Sequence, residues 1–122
     1  MDVEQITLFR DMARRAFERE IAPNFQHWEQ QQMVPRQLWK TLGNAGLLCP
    51  DLPEEYGGAG TPVRIALALI EEMARMGFGG IATGCAVHSN IAAPYINHFG
   101  TEEQKQHWLP RMTTGEVVGA LA

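Results

Sequence analysis

Residues 81–96 read IATGCAVHSNIAAPYI, and this stretch contains no charged side chain. Alanine, glycine, serine and threonine are frequent in it, so neighbouring elements can approach its backbone closely. A helix that carries no charge on any side is typical of a protein interior. We therefore expect residues 81–96 to form a central helix that is buried on nearly every side, and we expect Pro94 to kink or end it.

A few neutral polar residues interrupt this stretch, namely Thr83, His88, Ser89 and Asn90. One interpretation is a core helix whose polar groups form local hydrogen bonds. The other is the wall of a pocket, because steps of three and four residues place on one face Thr83, Ala86, Val87 and Asn90. Such a face suits an apolar ligand that is fixed by a few polar groups. We call these four residues the pocket face.

The chain before this stretch begins with a strongly periodic helix. Asp2 and Gln5 have the spacing of a capping box, and Pro23 ends the helix. Its apolar positions recur every three or four residues and are Ile6, Phe9, Ala13, Phe17 and Ile21. The polar residues 24–34 predict a partly helical connection, and a shorter helix follows from Pro35 to Gly46.

A further helix is predicted between Thr61-Pro62 and Gly77. Its apolar stripe consists of Val63, Ala66, Leu67, Ile70, Met73 and Ala74. After the central helix, Thr101 and Gln104 form a second capping box that opens the last helix. The sequence thus predicts an all-α fold, an orthogonal bundle of five or six helices over residues 1–116. Residues 117–122 predict the start of a strand that belongs to a β middle domain.

Composition excludes several classes of function. The chain has 122 residues and a net charge of −4, and its basic residues are scattered, so we expect no nucleic-acid partner. It has no basic N-terminal region and no uninterrupted apolar run of about 20 residues, so we expect a cytoplasmic protein without a membrane span. Cys49 and Cys85 lack metal-site spacing, and we expect them to be reduced, buried thiols.

The sequence contains no residue pattern that indicates common catalytic chemistry. The four histidines are spaced too widely for a metal site. The glycine-rich residues 57–60 lack the lysine of a phosphate-binding loop, which favours a structural turn. The adjacent carboxylates Glu54-Glu55 and Glu71-Glu72 point apart on a helix, so we expect solvated faces. Ser89 has no nucleophile context.

Several ordered strings resemble the acyl-CoA dehydrogenases. They are DLPEEYGGAG at residues 51–60, EEMAR at 71–75, FGTEEQKQ at 99–106 and LPRM at 109–112. The strings VHSNI at 87–91 and APYI at 93–96 are most similar to members that handle longer acyl chains. The likeness covers nearly all of the chain, and it corresponds to the helical first domain of a family whose members are about three times as long.

The resemblance implies an enzyme that uses FAD to convert an acyl-CoA thioester to a trans-2-enoyl-CoA and passes electrons to an electron-transfer flavoprotein. It places the acyl-chain wall on the helix that carries Thr83, Ala86, Val87 and Asn90. The flavin-contacting motif of the family begins where this chain stops, and only Leu121 and Ala122 match its first positions. The catalytic Glu of the family belongs to the third domain, so no residue here is assigned as catalytic. We expect the isolated chain to be inactive.

Two alternatives remain open from the sequence. A helical interaction or scaffold domain would explain the absence of catalytic groups, although the apolar residues 117–122 would then leave bare strand edges. An acyl-CoA oxidase, in which oxygen reoxidises the flavin, would share this first domain. Members of the family that this chain resembles are homotetramers or dimers, so the resemblance also implies a homo-oligomer.

Overall fold

The computed structural model describes residues 1–122 and is built from helices alone, which confirms the predicted all-α fold. The helices are α1 (Val3–Glu20), α2 (Phe25–Gln31), α3 (Arg36–Asn44), α4 (Val63–Arg75), α5 (Gly79–Ala86), α6 (Ala93–Phe99) and α7 (Glu102–Thr113). A π-helical turn, Val87–Ala92, joins α5 to α6, so these three elements form one continuous rod and the bundle contains six rods. Short 3₁₀ turns lie at Ala22–Asn24 and Glu54–Tyr56.

Both predicted capping boxes are present. At the start of α1, Asp2 Oδ1 accepts a hydrogen bond from the Gln5 N–H at 2.8 Å, and Gln5 Oε1 accepts one from the Asp2 N–H at 2.9 Å. Thr101 and Gln104 exchange the equivalent pair at the start of α7. These bonds satisfy backbone donors that the first turn of a helix leaves without partners.

Pro94 does not end the helix. It occupies the second position of α6, which continues to Phe99. A proline cannot donate a backbone hydrogen bond, and its ring needs room near the carbonyl group four residues earlier, which is that of Asn90. Asn90 lies in the π-helical turn, whose wider ring of hydrogen bonds provides that room. The rod therefore absorbs the proline without a break in helical structure.

The charge-free rod is buried on one side only. Its buried residues are Ile81, Ala82, Cys85, His88, Ser89 and Ala93. The expectation of burial on nearly every side is wrong, because Thr83, Ile91 and Tyr95 are exposed. The helices α4 and α7 contact the rod, as does Trp39 of α3, whereas the side that carries Thr83, Ile91 and Tyr95 is open to solvent.

The predicted apolar stripe of α4 is displaced from the observed buried face. Of the predicted stripe, Ala66 and Met73 are buried and Ile70 is half-buried, whereas Val63, Leu67 and Ala74 are exposed. Ile65 and Leu69, which lie outside the predicted stripe, are buried in their place. This buried face packs against α1 and the rod. Residues 65–70 read IALALI, and a run that is apolar at every position has no unique apolar side. The core of the bundle is completed by Phe17, Ile21, Leu42, Leu109 and Met112.

Glu72 on this buried face contradicts the expectation of a solvated carboxylate. Its side chain is 1% exposed and accepts hydrogen bonds from Arg10 at 2.9 Å and Arg14 at 3.2 Å. Burial acts to raise the pKa of Glu72, but the hydrogen bonds and charges of the two arginines outweigh it and hold the pKa below its ordinary value. The carboxylate is therefore an ionised link between α1 and α4.

Residues 117–122 form neither helix nor strand. The Val117 N–H donates to the Arg111 carbonyl oxygen at 3.1 Å, which holds the start of this tail against α7. A strand needs a neighbour for its ladder of hydrogen bonds, so the assignment of residues 117–122 to a second domain stays a prediction. No helix of the bundle combines the length and the apolar character needed to cross a lipid bilayer.

Candidate functional site

The pocket face lies along α5 and the π-helical turn. Thr83 is exposed, and Ala86, Val87 and Asn90 are half-buried. The Thr83 hydroxyl donates to the Gly79 carbonyl oxygen at 2.9 Å, so its polar group is already engaged within the helix. None of the four residues lines the groove between α6 and α7 or the grooves beside α1, α2 and α3. The structure thus brings them together as an open wall rather than a closed slot.

Asn90 gives this wall one polar acceptor. Its Oδ1 is buried and has no hydrogen-bond partner in the chain. An amide oxygen in such a position has a large energetic incentive to find a donor. Ser89 beside it is instead satisfied, because its Oγ accepts a hydrogen bond from the Cys49 N–H at 3.1 Å. Asn90 is therefore the member of the pocket face whose side-chain oxygen lacks a partner, and the burial of that oxygen keeps it away from the open side of the wall.

In the sequence, His88 stands out only as one of several neutral polar residues in the charge-free stretch. Its ring is fully buried in the π-helical turn and lies against Trp39 of α3, with 5.3 Å between ring centroids. Nε2 donates to the Met112 carbonyl oxygen at 2.9 Å, and Nδ1 accepts from the Gly119 N–H at 2.8 Å. These two partners fix the tautomer, since a carbonyl oxygen only accepts and an amide N–H only donates.

The environment of His88 favours its neutral form. Burial lowers the pKa of the ring below its ordinary value, and the hydrogen bond to Met112 opposes this shift only in part. The one signal in the sequence was a histidine inside a charge-free helix. Its two partners lie 24 and 31 positions away, so no local pattern identified them.

The tail beyond Gly119 carries the two residues that match the flavin-contacting motif. Leu121 is 70% exposed and Ala122 is exposed. The backbone groups of residues 120–122 form no hydrogen bond within the chain. Their peptide groups can therefore donate to and accept from a bound molecule, which is what a contact of Leu121 and Ala122 with FAD requires.

The glycine-rich loop is a structural turn, as its sequence predicts. The N–H groups of residues 57–60 donate to the carbonyl oxygens of Glu54, Pro53, Pro50 and Leu52, in that order. A phosphate site at such a loop needs free N–H groups that converge on the ligand. All four donors are engaged within the loop, so the arrangement does not present them to an anion.

Both cysteines are free and buried, as predicted. Burial raises the pKa of each thiol to about 12, so neither is a nucleophilic thiolate at neutral pH. No group of three or more His, Cys, Asp or Glu side chains is arranged to hold a metal ion.

Comparison with known proteins matches this geometry to one family. The family model described as "Acyl-CoA dehydrogenase, N-terminal domain" matches residues 4–116. A long-chain specific acyl-CoA dehydrogenase of mitochondria from Sus scrofa is 38% identical over 115 residues, which are 94% of this chain and 26% of that protein. The chain thus spans about a quarter of the length of such curated relatives.

Solved structures agree with the sequence comparison. An acyl-CoA dehydrogenase from Geobacillus kaustophilus superimposes with a TM-score of 0.90 at 36% identity, over 97% of this chain and 30% of that one. An acyl-CoA dehydrogenase complexed with FAD from Bacillus anthracis gives a TM-score of 0.85 at 32% identity, over 94% and 20%. The all-helical bundle and the matched motifs therefore lead to one assignment: the chain belongs to the acyl-CoA dehydrogenase family, as its N-terminal domain.

Proposed function

We propose that the chain is the helical N-terminal domain of a FAD-dependent acyl-CoA dehydrogenase and supplies one wall of the acyl-chain pocket. The observation that carries this proposal is the charge-free rod, whose outer side stays uncovered in a chain that spans about a quarter of its relatives. An apolar helix side without charge is costly to leave in water, and a bound acyl chain would cover it.

The residues of the pocket face suit this role individually. Ala86 and Val87 present small apolar groups, which leave depth for a long chain and exclude water around it. The Thr83 hydroxyl donates a hydrogen bond to the Gly79 carbonyl oxygen, so it does not need a water molecule to accept its proton.

In the whole enzyme, FAD would supply the oxidant that accepts a hydride from the β carbon of the acyl-CoA thioester. A base outside this chain would remove the α proton, and trans-2-enoyl-CoA would be formed. Leu121 and Ala122 are the residues here that would contact the flavin, because they match the first positions of the flavin-contacting motif that the resemblance implies. An electron-transfer flavoprotein would then receive the electrons.

The test is made on the product of the full reading frame that contains these residues. We expect a yellow protein whose flavin absorbance is bleached by a straight-chain acyl-CoA without oxygen. Turnover should follow with an electron-transfer flavoprotein and proceed much more slowly with oxygen alone. Fast turnover with oxygen would identify an acyl-CoA oxidase. A colourless protein that neither binds flavin nor acts on acyl-CoA would overturn the proposal in favour of a scaffold domain.

We also propose that the whole protein is a homo-oligomer. A groove of 260 Å³ between α6 and α7 is lined by Tyr95, Ile96, Phe99, Gly100, Gln104 and Trp108. Three of these side chains are large, aromatic and exposed, namely Tyr95, Phe99 and Trp108. Exposed aromatic patches of this kind are typical of interaction surfaces. Sedimentation of the full-length protein as a monomer at high concentration would contradict this proposal.

A further inference from the structure

The buried ring of His88 connects three parts of the fold. It belongs to the π-helical turn, donates to the Met112 carbonyl oxygen near the end of α7 and accepts from the Gly119 N–H in the tail. Beyond Val117, this bond to Gly119 is the only hydrogen bond that the tail makes to the rest of the chain. The ring is therefore the last fixed point before the exposed residues 120–122.

Packing around Gly119 makes this fixed point specific. A Cβ atom on Gly119 would lie 2.7 Å from Met112 Cε and 2.9 Å from Ala92 Cβ. The glycine therefore lets the tail approach the helices closely enough for its N–H to reach the ring. The same turn that carries His88 also carries Val87 and Asn90 of the pocket face.

We propose that His88 is a positioning residue that ties the C-terminal tail to the π-helical turn, and so sets where Leu121 and Ala122 stand relative to the pocket face. The functional meaning of this tie rests on the proposed function, since it links a wall for the acyl chain to a contact for the flavin. The tie itself rests on the two hydrogen bonds of one ring.

The charge state of the ring decides whether the tie holds. A proton on Nδ1 would replace the lone pair that accepts the Gly119 N–H, and two donors would then face each other. From other elements, the ring packs against Trp39 and bonds to Met112 and Gly119, none of which titrates. No charged group contributes to the shift of its pKa, which burial and the Met112 bond determine. On the same rod, Cys85 stays a neutral thiol because burial raises its pKa to about 12.

The experiment uses the 122-residue chain, labelled with ¹⁵N, without flavin or acyl-CoA. Amide exchange of Gly119 and the ¹⁵N shifts of the His88 ring are measured together. We expect a ring with its proton on Nε2, and a Gly119 amide that exchanges about tenfold more slowly than in an unstructured peptide. A Gly119 amide that exchanges as fast as an unstructured one would overturn the proposal.

Three variants separate positioning from general stability. His88→Leu removes both bonds and should raise the exchange of Gly119 about tenfold, while the amides of α4 stay protected. His88→Gln keeps an acceptor and a donor and should restore part of the protection. His98→Gln changes an exposed histidine of α6 and is the matched control, which should exchange like the wild type. Equal Gly119 protection in folded His88→Leu and wild type would overturn the tie.

If His88→Leu does not fold, a pH titration of the wild-type chain tests the tie between His88 and Gly119 instead. Protonation of the His88 ring and loss of Gly119 protection should follow one curve, and persistence of that protection on a protonated ring would overturn the tie. A full-length enzyme that fails to act on acyl-CoA would overturn the proposed function and leave these readings unchanged. The two failures are therefore distinguishable.

Discussion

The Glu72 carboxylate on α4 lies 2.9 Å from Nη1 of Arg10 on α1, and the two side chains differ greatly in their access to water. The side chain of Glu72 is 1% exposed, whereas that of Arg10 is 27% exposed. Arg14, which donates to the other carboxylate oxygen, is 42% exposed. If the link is broken, the arginines can reach solvent and the carboxylate cannot.

This asymmetry gives the first prediction. The double change Arg10→Met with Arg14→Met should lower the free energy of unfolding by about 3 kcal/mol, because it leaves the buried carboxylate with only the longer contact to Arg75, at 3.8 Å. Glu72→Gln should lower it by only about 1–2 kcal/mol. Urea unfolding at neutral pH measures both. Arg19→Met, at an exposed ion pair with Glu20, is the control and should change stability by less than about 1 kcal/mol. An equal loss of unfolding free energy in the double arginine variant and in Glu72→Gln would contradict the prediction.

Two glycines with the same backbone conformation should respond differently to alanine. Gly46 and Gly115 have φ angles of 75° and 78°, in the left-handed region. A Cβ on Gly46 would meet nothing within 4 Å, whereas one on Gly115 would lie 2.1 Å from the Trp39 carbonyl oxygen. Gly46→Ala should therefore lower the free energy of unfolding by about 1 kcal/mol, and Gly115→Ala by about 3 kcal/mol or more. Similar thermal midpoints for the two variants would argue against a tight contact between α3 and Gly115.

Stability should fall as the solution is acidified below about pH 6.5, the ordinary pKa of histidine. The pKa of His88 is lower in the folded chain, so between the two values the unfolded chain binds a proton that the folded chain does not. The contribution of His88 is thus complete above the ordinary pKa and is lost toward the folded one. Urea unfolding at a series of pH values should show this slope in the wild type and in His98→Gln. If stability depends on pH equally in His88→Gln and in the wild type, His88 is not the cause of this dependence.

The pocket face predicts a change in substrate preference. In the full-length enzyme, Ala86→Phe should raise KM for long acyl chains first, because the added ring fills the depth that only a long chain uses. Ala74→Phe, at an exposed alanine of α4, is the matched control and should leave the preference unchanged. Steady-state kinetics with short and long straight-chain acyl-CoA substrates measure this. An equal rise in KM for short and long substrates would show that Ala86 does not line the pocket.

The isolated chain should not hold flavin. Only Leu121 and Ala122 match the flavin-contacting motif, and both lie exposed at the end of the tail. We therefore expect the purified 122-residue chain to be colourless and to show no difference spectrum on addition of FAD. It should also be inactive with acyl-CoA. A yellow protein with one flavin per chain would show that the helical bundle itself carries the binding site.

Features that depend on neighbours in sequence were predictable. The capping boxes of α1 and α7 follow from Asp2 with Gln5 and from Thr101 with Gln104, because each box lies within one turn of helix. The alternation of helices and breakers, and the structural turn at residues 57–60, likewise follow from local chemistry. Helical spacing likewise places Thr83, Ala86, Val87 and Asn90 on one face, and their role as a pocket wall stays a prediction.

Features that depend on distant contacts were not predictable. The run IALALI offers α4 several apolar sides, and only packing against α1 and the rod selects one of them. Glu72 and Arg10 are separated by 62 positions, and His88 and Gly119 by 31, so neither pair leaves a local signature.

The π-helical turn at Val87–Ala92 makes the rod tolerant of a change in its length. A π-helical turn is equivalent to one residue inserted into an α-helix, and each residue of an α-helix advances about 100° around the axis. The wider turn takes up this extra residue locally, so deletion of one residue there would restore ordinary winding and leave Tyr95 and Phe99 facing close to their present direction. Natural or engineered one-residue deletions at this point would therefore keep the aromatic groove and the preceding half of the wall on their present sides.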